Sequence, residues 1–155
     1  MDKKLSIDIR QESPTSPAAK RLIKELDQDL LERYPLQLIH GLRPEGAEDP
    51  ELYFIVAYID GRAAGCGALR PLEPGVGEIK RMFVLPEFRS KGIARAILTA
   101  LEKRCIEIGN TSVRLETGSK QPEAIALYKS AGYAGIVNFG EFIDNPMSLC
   151  FEKKI

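Results

Sequence analysis

The chain has 155 residues, 44% of them apolar and 28% charged, the size and balance of one compact domain that buries a core of its own. Its 22 basic and 22 acidic side chains cancel, so no global field draws it to nucleic acid or to an anionic membrane, and an anionic ligand must be met locally. Cys66, Cys105 and Cys150 are far apart, odd in number and without metal-ligand spacing, which argues against a disulfide framework and a zinc site and for a reducing compartment. The start MDKKLSIDIR lacks the apolar stretch of a signal peptide, and nowhere do about 18 apolar residues run together as a membrane span requires. The expectation is a single domain over residues 1–155, cytoplasmic, with neither a nucleic-acid nor a membrane partner; a homodimer is compatible with the sequence.

Residues 5–10 (LSIDIR) alternate apolar and polar side chains, and after Ser-Pro-rich turn residues Ala19, Leu22, Ile23, Leu26 and Leu30 recur at helical spacing. This predicts a strand and then an amphipathic helix. Residues 34–50 keep no period and read as loop or short irregular helix. LYFIVAYI, Asp60-Gly61 and RAAGCGALR predict a hairpin, since Asp-Gly supplies the positive φ angles of a two-residue type I′ turn. The first of these strands is apolar on both faces and therefore central. After the turn chemistry of PLEPGVG comes the strand EIKRMFVL, ended by Pro86. A helix from about Gly92 carries Ile93, Ile97, Leu101, Cys105 and Ile108 on one face, and Gly109-Asn110 stops it. SVRLET is the next strand. Gln121-Pro122 opens a helix that Gly132 ends, and residues 133–137 and 147–153 form the last two strands.

The hexapeptide RSKGIA, residues 89–94, falls between a strand and an amphipathic helix. Its backbone N–H groups include the orphan donors of a helix start, which favour a phosphate by hydrogen bonding and dipole together. Arg89 and Lys91 add charge, Gly92 leaves room for close approach, and Ala94 is small. It is neither a P-loop nor a dinucleotide fingerprint, because the Gly-Lys-Ser/Thr of the one and the early glycine turn of the other are missing.

Val84, Pro86, Arg89, Gly92 and Ala94 form the pattern V-x-P-x-x-R-x-x-G-x-A, which resembles motif A of the GNAT acetyltransferases. Gln121, Ala124, Leu127, Tyr128, Gly132 and Tyr133 resemble a second pattern of that superfamily, N-x-x-A-x-x-L-Y-x-x-x-G-F, with Gln for Asn and Tyr for Phe. Two spaced motifs in order, with a matching element order, cover about residues 5–153. The resemblance implies a mixed α/β fold: a six- to seven-stranded, mostly antiparallel sheet flanked by helices and splayed where two parallel strands admit the cofactor.

It also implies acetyl-CoA (coenzyme A) as cofactor, with the pyrophosphate on the backbone of Arg89, Ser90, Lys91, Gly92, Ile93 and Ala94. Met82, Phe83 and Val84 would pair with the pantetheine as an added strand and polarise the thioester carbonyl, work suited to backbone groups. Gln121 stands where an asparagine bonds toward cofactor or helix. Tyr128 matches the tyrosine that protonates the departing thiolate. Glu78 resembles the general base of the histone-acetylating branch, with a water chain as the alternative. His40, the single histidine, lacks the partners of a nucleophilic triad, and Glu116 either faces the cleft or pairs with Arg114, Lys80 or Arg81.

The stretches GCGALRPL, LETGSKQPEAIALYKSAGY and FGEFIDNPMSLCFEK resemble a subgroup of small bacterial GNAT proteins, some labelled indole-acetic-acid acetyltransferases. Fold and cofactor motif do not determine the acceptor. Residues 34–50 and 138–146 are the expected specificity loops, with Glu141 and Asp144 available to a cationic amine and Tyr34, Phe139 and Phe142 as apolar walls. The expected activity is acetyl transfer to a primary amine of a small molecule, directly in a ternary complex, since no cysteine has an activated setting. The alternatives are a non-catalytic acyl-CoA sensor and a protein N-acetyltransferase.

Overall fold

The computed structural model describes residues 6–39 and 52–155. Strand β1 (Ile7–Glu12) leads into helix α1 (Pro17–Arg33), whose start is set by Ser16: its side chain accepts from the Ala19 N–H at 3.1 Å, and Pro17 takes the first turn, where its missing N–H costs nothing. Ala19, Leu22, Ile23 and Leu26 are the buried stripe of α1. Residues 40–51 lie outside the described part, and His40 with them; in the described start of that loop, Leu36–Leu38 forms a short 3-10 turn.

Strands β2 (Tyr53–Ile59) and β3 (Arg62–Glu73) form the expected hairpin, with Asp60 at φ 50° and Gly61 at φ 76°. The next hairpin differs from expectation. Strand β3 runs on through Pro71 to Glu73, and β4 (Val76–Val84) begins directly after the two-residue turn Pro74-Gly75. Pro71 is tolerated inside a strand because the register shifts there, so its missing N–H breaks no regular ladder.

Helix α2 (Ile93–Glu107) buries Ile93, Ile97, Leu98, Leu101 and Cys105. Ile108, expected on that face, is instead 48% exposed. The helix closes one residue earlier, in a Schellman cap in which Asn110 N–H bonds the Cys105 carbonyl and Gly109 N–H that of Ile106, and the chain turns Ile108 outward. Strand β5 (Ser112–Gly118), helix α3 (Pro122–Ser130), strand β6 (Ala134–Ile136) and strand β7 (Ser148–Lys154) complete the order.

The seven strands make one sheet in the order β1-β2-β3-β4-β5-β7-β6. Every neighbouring pair is antiparallel except β4 and β5. Helices α1 and α2 pack on the β3–β4 half of the sheet, and the apolar core lies between them and it. Among the described residues no helix is long and apolar enough to cross a membrane.

Candidate active site

Strands β4 and β5 pair only from Val76 to Ile79 on one and from Ser112 to Leu115 on the other. Past Ile79, β4 keeps β3 on its far edge and β5 keeps β7, so the sheet opens between them. A bulge marks the opening. The β3–β4 register shifts between Cys66 and Ala68, and Arg81 sits at φ 60°, a left-handed conformation that few non-glycine residues hold. Leu85 N–H donates to Ala64 O on β3 at 2.9 Å. Backbone groups alternate edges along a strand, so the N–H and C=O of Val84 face the opening.

From Val84 the chain passes through a 3-10 turn, Pro86–Phe88, to Arg89 in extended conformation, Ser90 at φ 62° and Gly92 at φ 81°. Left-handed residues interleaved with others form a concave nest of N–H groups, a shape that holds anions. Gly92 is the N-cap of α2 and brings no side-chain cap, so the first-turn N–H groups stay available. A Cβ on Gly92 would meet nothing within 4 Å. The glycine is therefore needed for its φ angle, and the space above it is open.

Arg89 turns back: its Nε donates to Val84 O at 2.9 Å and its guanidinium lies 5.6 Å from the Phe83 ring centre, tying nest to strand. Ser90, Gly92, Ile93 and Ala94 line a cleft of about 400 Å³ together with Met82, Phe83 and Val84. Lys91, expected among the phosphate ligands, is exposed and lies outside that lining.

A second cavity, of about 110 Å³, lies beyond Met82 and Tyr128, and these two residues line both spaces. Glu78 lines the second cavity at 1% exposure. Charged residues near a strand start are usually solvated, and Glu78 is not. Burying a lone carboxylate costs on the order of several kcal/mol; Arg70 offsets it, its Nε donating to Glu78 Oε1 at 2.6 Å. Across the sheet Glu78 stands opposite Arg70 on β3 and Arg114 on β5, and Arg114 in turn reaches Glu152 and Glu73. Glu78 is thus fixed in a row of alternating charge.

Tyr128, on α3, is 5% exposed, packed edge-on against Tyr133 at 5.8 Å and beside Phe151 at 6.4 Å. Burial, and after it the charge of Glu116, pushes its phenol above the ordinary range, so the proton is retained. Among the described residues none takes a hydrogen bond from its hydroxyl. The start of α3 is clamped from afar. Gln121 Oε1 accepts from Gly118 N–H at 3.1 Å and from the Tyr34 hydroxyl at 3.3 Å, and that hydroxyl accepts from Lys120 N–H at 2.9 Å. A Cβ at Gly118 would sit 1.8 Å from the Tyr34 oxygen, so glycine there admits the clamp. Tyr34, expected as an apolar wall, works through its hydroxyl.

The loop over residues 138–146 is folded by Asn138, whose Nδ2 donates to the carbonyls of Phe142, Asn145 and Ser148 at 3.1 to 3.3 Å. Phe142 lines the second cavity, whereas Phe139 stacks edge-on against it from outside the lining. Glu141 pairs with Lys80 at 3.3 Å, and Asp144 is exposed. Glu116 lines the second cavity and accepts from Ser148 Oγ at 2.6 Å, a partner no local pattern signals. All three cysteines are buried and none lines either space; burial pushes the thiols of Cys105 and Cys150 up.

Comparison with known proteins gives concordant matches. A family profile described as Acetyltransferase (GNAT) family matches residues 17–133. An IAA acetyltransferase from Azospirillum brasilense is 38% identical over 151 residues, which cover 97% of this chain and 99% of that protein. A Klebsiella pneumoniae structure, provisionally described as an acyl-CoA N-acyltransferase, superposes with a TM-score of 0.78 at 31% identity, covering 96% of this chain and 97% of its own. The PaiA N-acetyltransferase of Thermoplasma acidophilum, solved with coenzyme A, shares the fold at a TM-score of 0.72 and 19% identity, with 97% and 99% covered.

Proposed function

The chain belongs to the GNAT acetyltransferase family and is an acyltransferase, and from that premise we propose that it moves the acetyl group of acetyl-CoA to a primary amine of a small molecule, directly in a ternary complex. The observation that carries this reading is that two spaces, one floored by an anion nest and one lined by a buried carboxylate, meet at Met82 and Tyr128. The residues fit acetyl-CoA: the nest at Ser90 and Gly92 suits a pyrophosphate, and the open edge of β4 at Val84 suits the amides of a pantetheine arm. When bound, that molecule supplies an acetyl group activated as a thioester.

The chain's own residues do the rest. Ser90, Gly92, Ile93 and Ala94 hold the diphosphate by backbone donors, and Arg89 braces the nest against Val84. Glu78 accepts a proton from the acceptor's ammonium, which must become neutral to act as a nucleophile. Tyr128 holds its proton for the leaving sulfur, and the packing of Tyr133 and Phe151 fixes the ring there. Gln121, with Tyr34, fixes the start of α3 and with it the height of Tyr128. No cysteine lies on the path, which supports direct transfer over an acetyl-cysteine.

The test is release of free thiol from acetyl-CoA over a panel of amines. Thiol release that depends on the acceptor is the expected result. Tight binding of acetyl-CoA with no release over the panel would instead make the protein a sensor of acyl-CoA.

A further inference from the structure

The second cavity carries more charge than transfer to a plain amine requires. Besides Glu78 it is lined by Glu116, Lys80 and Arg81. Lys80 is two residues from Glu78 on β4, and Glu116 two residues from Arg114, the β5 partner of Glu78, so all three share one face of the sheet. The opening between β4 and β5 sets Lys80 and Glu116 on its two walls.

Arg81 faces Asp27 of α1 across 3.7 Å, both largely buried. Lys80 is held less firmly. Its partner Glu141, 3.3 Å away, has a side chain 45% exposed and sits on the 3-10 turn Gly140–Phe142. A half-solvated pair of that kind contributes little, so a ligand anion inside the cavity can take its place. Phe142, 3% exposed with its ring 6.0 Å from Lys80 Nζ, keeps water from that end. On the other wall Glu116 Oε2 accepts the Ser148 hydroxyl at 2.6 Å, and a carboxylate offers about four acceptor positions, so an ammonium can be bound as well.

Taking the acyl-transfer reading as its basis, we propose that the acceptor is a small amino-acid-like zwitterion, its ammonium held between Glu78 and Glu116 and its carboxylate on Lys80. A plain amine would satisfy only the acidic wall, whereas a zwitterion is matched at both ends, and desolvating charges is tolerable only when each is paired. In the transfer, the acceptor nitrogen forms the amide bond as the thioester C–S bond breaks. The ammonium gives up two protons. One passes to Glu78 and on to water, and the other restores Tyr128, whose own proton leaves on the thiol.

Initial rates of thiol release decide it, with acceptors in matched pairs that differ in the carboxylate: leucine with isopentylamine, phenylalanine with phenethylamine, γ-aminobutyrate with propylamine. Because a site built to pair a polar group rejects analogues that lack it, one zwitterion or more should exceed its plain amine in kcat/KM by about tenfold or more. Lys80→Met should shrink that ratio to about twofold, the loss falling on KM, while Lys80→Arg, which keeps the charge, preserves it. Equal kcat/KM within every pair, or a preference untouched by Lys80→Met, overturns the zwitterion and leaves acyl transfer standing. Absence of thiol release with both members of every pair overturns acyl transfer and the zwitterion together.

Discussion

Tyr128→Phe is expected to lower kcat about 100-fold, or about 2.7 kcal/mol in the barrier, with KM for acetyl-CoA changed by no more than about twofold. The substitution removes one hydroxyl and keeps the ring that packs on Tyr133 and Phe151, so thermal unfolding should move little. What is lost is the proton for the leaving sulfur. The direction of the phenol's shift adds a second observable. A raised pKa means that the protonated, donating form persists as pH rises, so Tyr128 contributes no alkaline fall to the wild-type rate below the ordinary phenol value of about 10. A variant with unchanged kcat would remove Tyr128 from the chemistry and leave it as core packing.

Glu78→Gln is expected to lower kcat/KM about 100-fold at pH 7 by removing the proton acceptor. Glutamine keeps the volume and an oxygen for Arg70, and the Arg70 side chain is 41% exposed, so the unpaired guanidinium can turn to water and the fold should persist. The deficit should narrow as pH rises toward the acceptor amine's own pKa, because solvent then supplies the neutral amine. Rates equal to wild type at pH 7 would assign proton removal to a water chain. A deficit constant across pH would make Glu78 a structural member of the charge row.

How much of this was legible in the sequence depended on how local each feature is. Val84, Pro86, Arg89, Gly92 and Ala94 are close in the chain, and strand end and helix start follow one another directly, so the elements that flank the proposed anion nest were readable before any tertiary structure. The order of elements was readable for the same reason, since alternation, Asp60-Gly61 and the helical stripes each act over a few residues, whereas the mixed, mostly antiparallel sheet came from the family resemblance. The resemblance carried by the two motifs is borne out by the family match.

Other parts needed tertiary information. Arg70 meets Glu78 only because the hairpin carries a bulge near Pro71 that moves the register by one; counting back from Pro74-Gly75 pairs the wrong residues. Tyr34 reaches Gln121 across 87 residues of chain, and nothing in its own neighbourhood marks its hydroxyl as a clamp. Ser148 and Glu116 meet across β5 and β7 in the same way. Lys91, whose charge and backbone were read together with Gly92, is exposed beside the nest.

Met82 and Tyr128 line both spaces, so the proposed transfer needs donor and acceptor held at once. The measurement that tests this most directly is a grid of initial rates of thiol release, with acetyl-CoA and an accepted amine both varied. Double-reciprocal lines that intersect are expected, because both molecules must be bound before the acetyl group moves. Parallel lines, with an acetylated protein detected by mass before any amine is added, would contradict it.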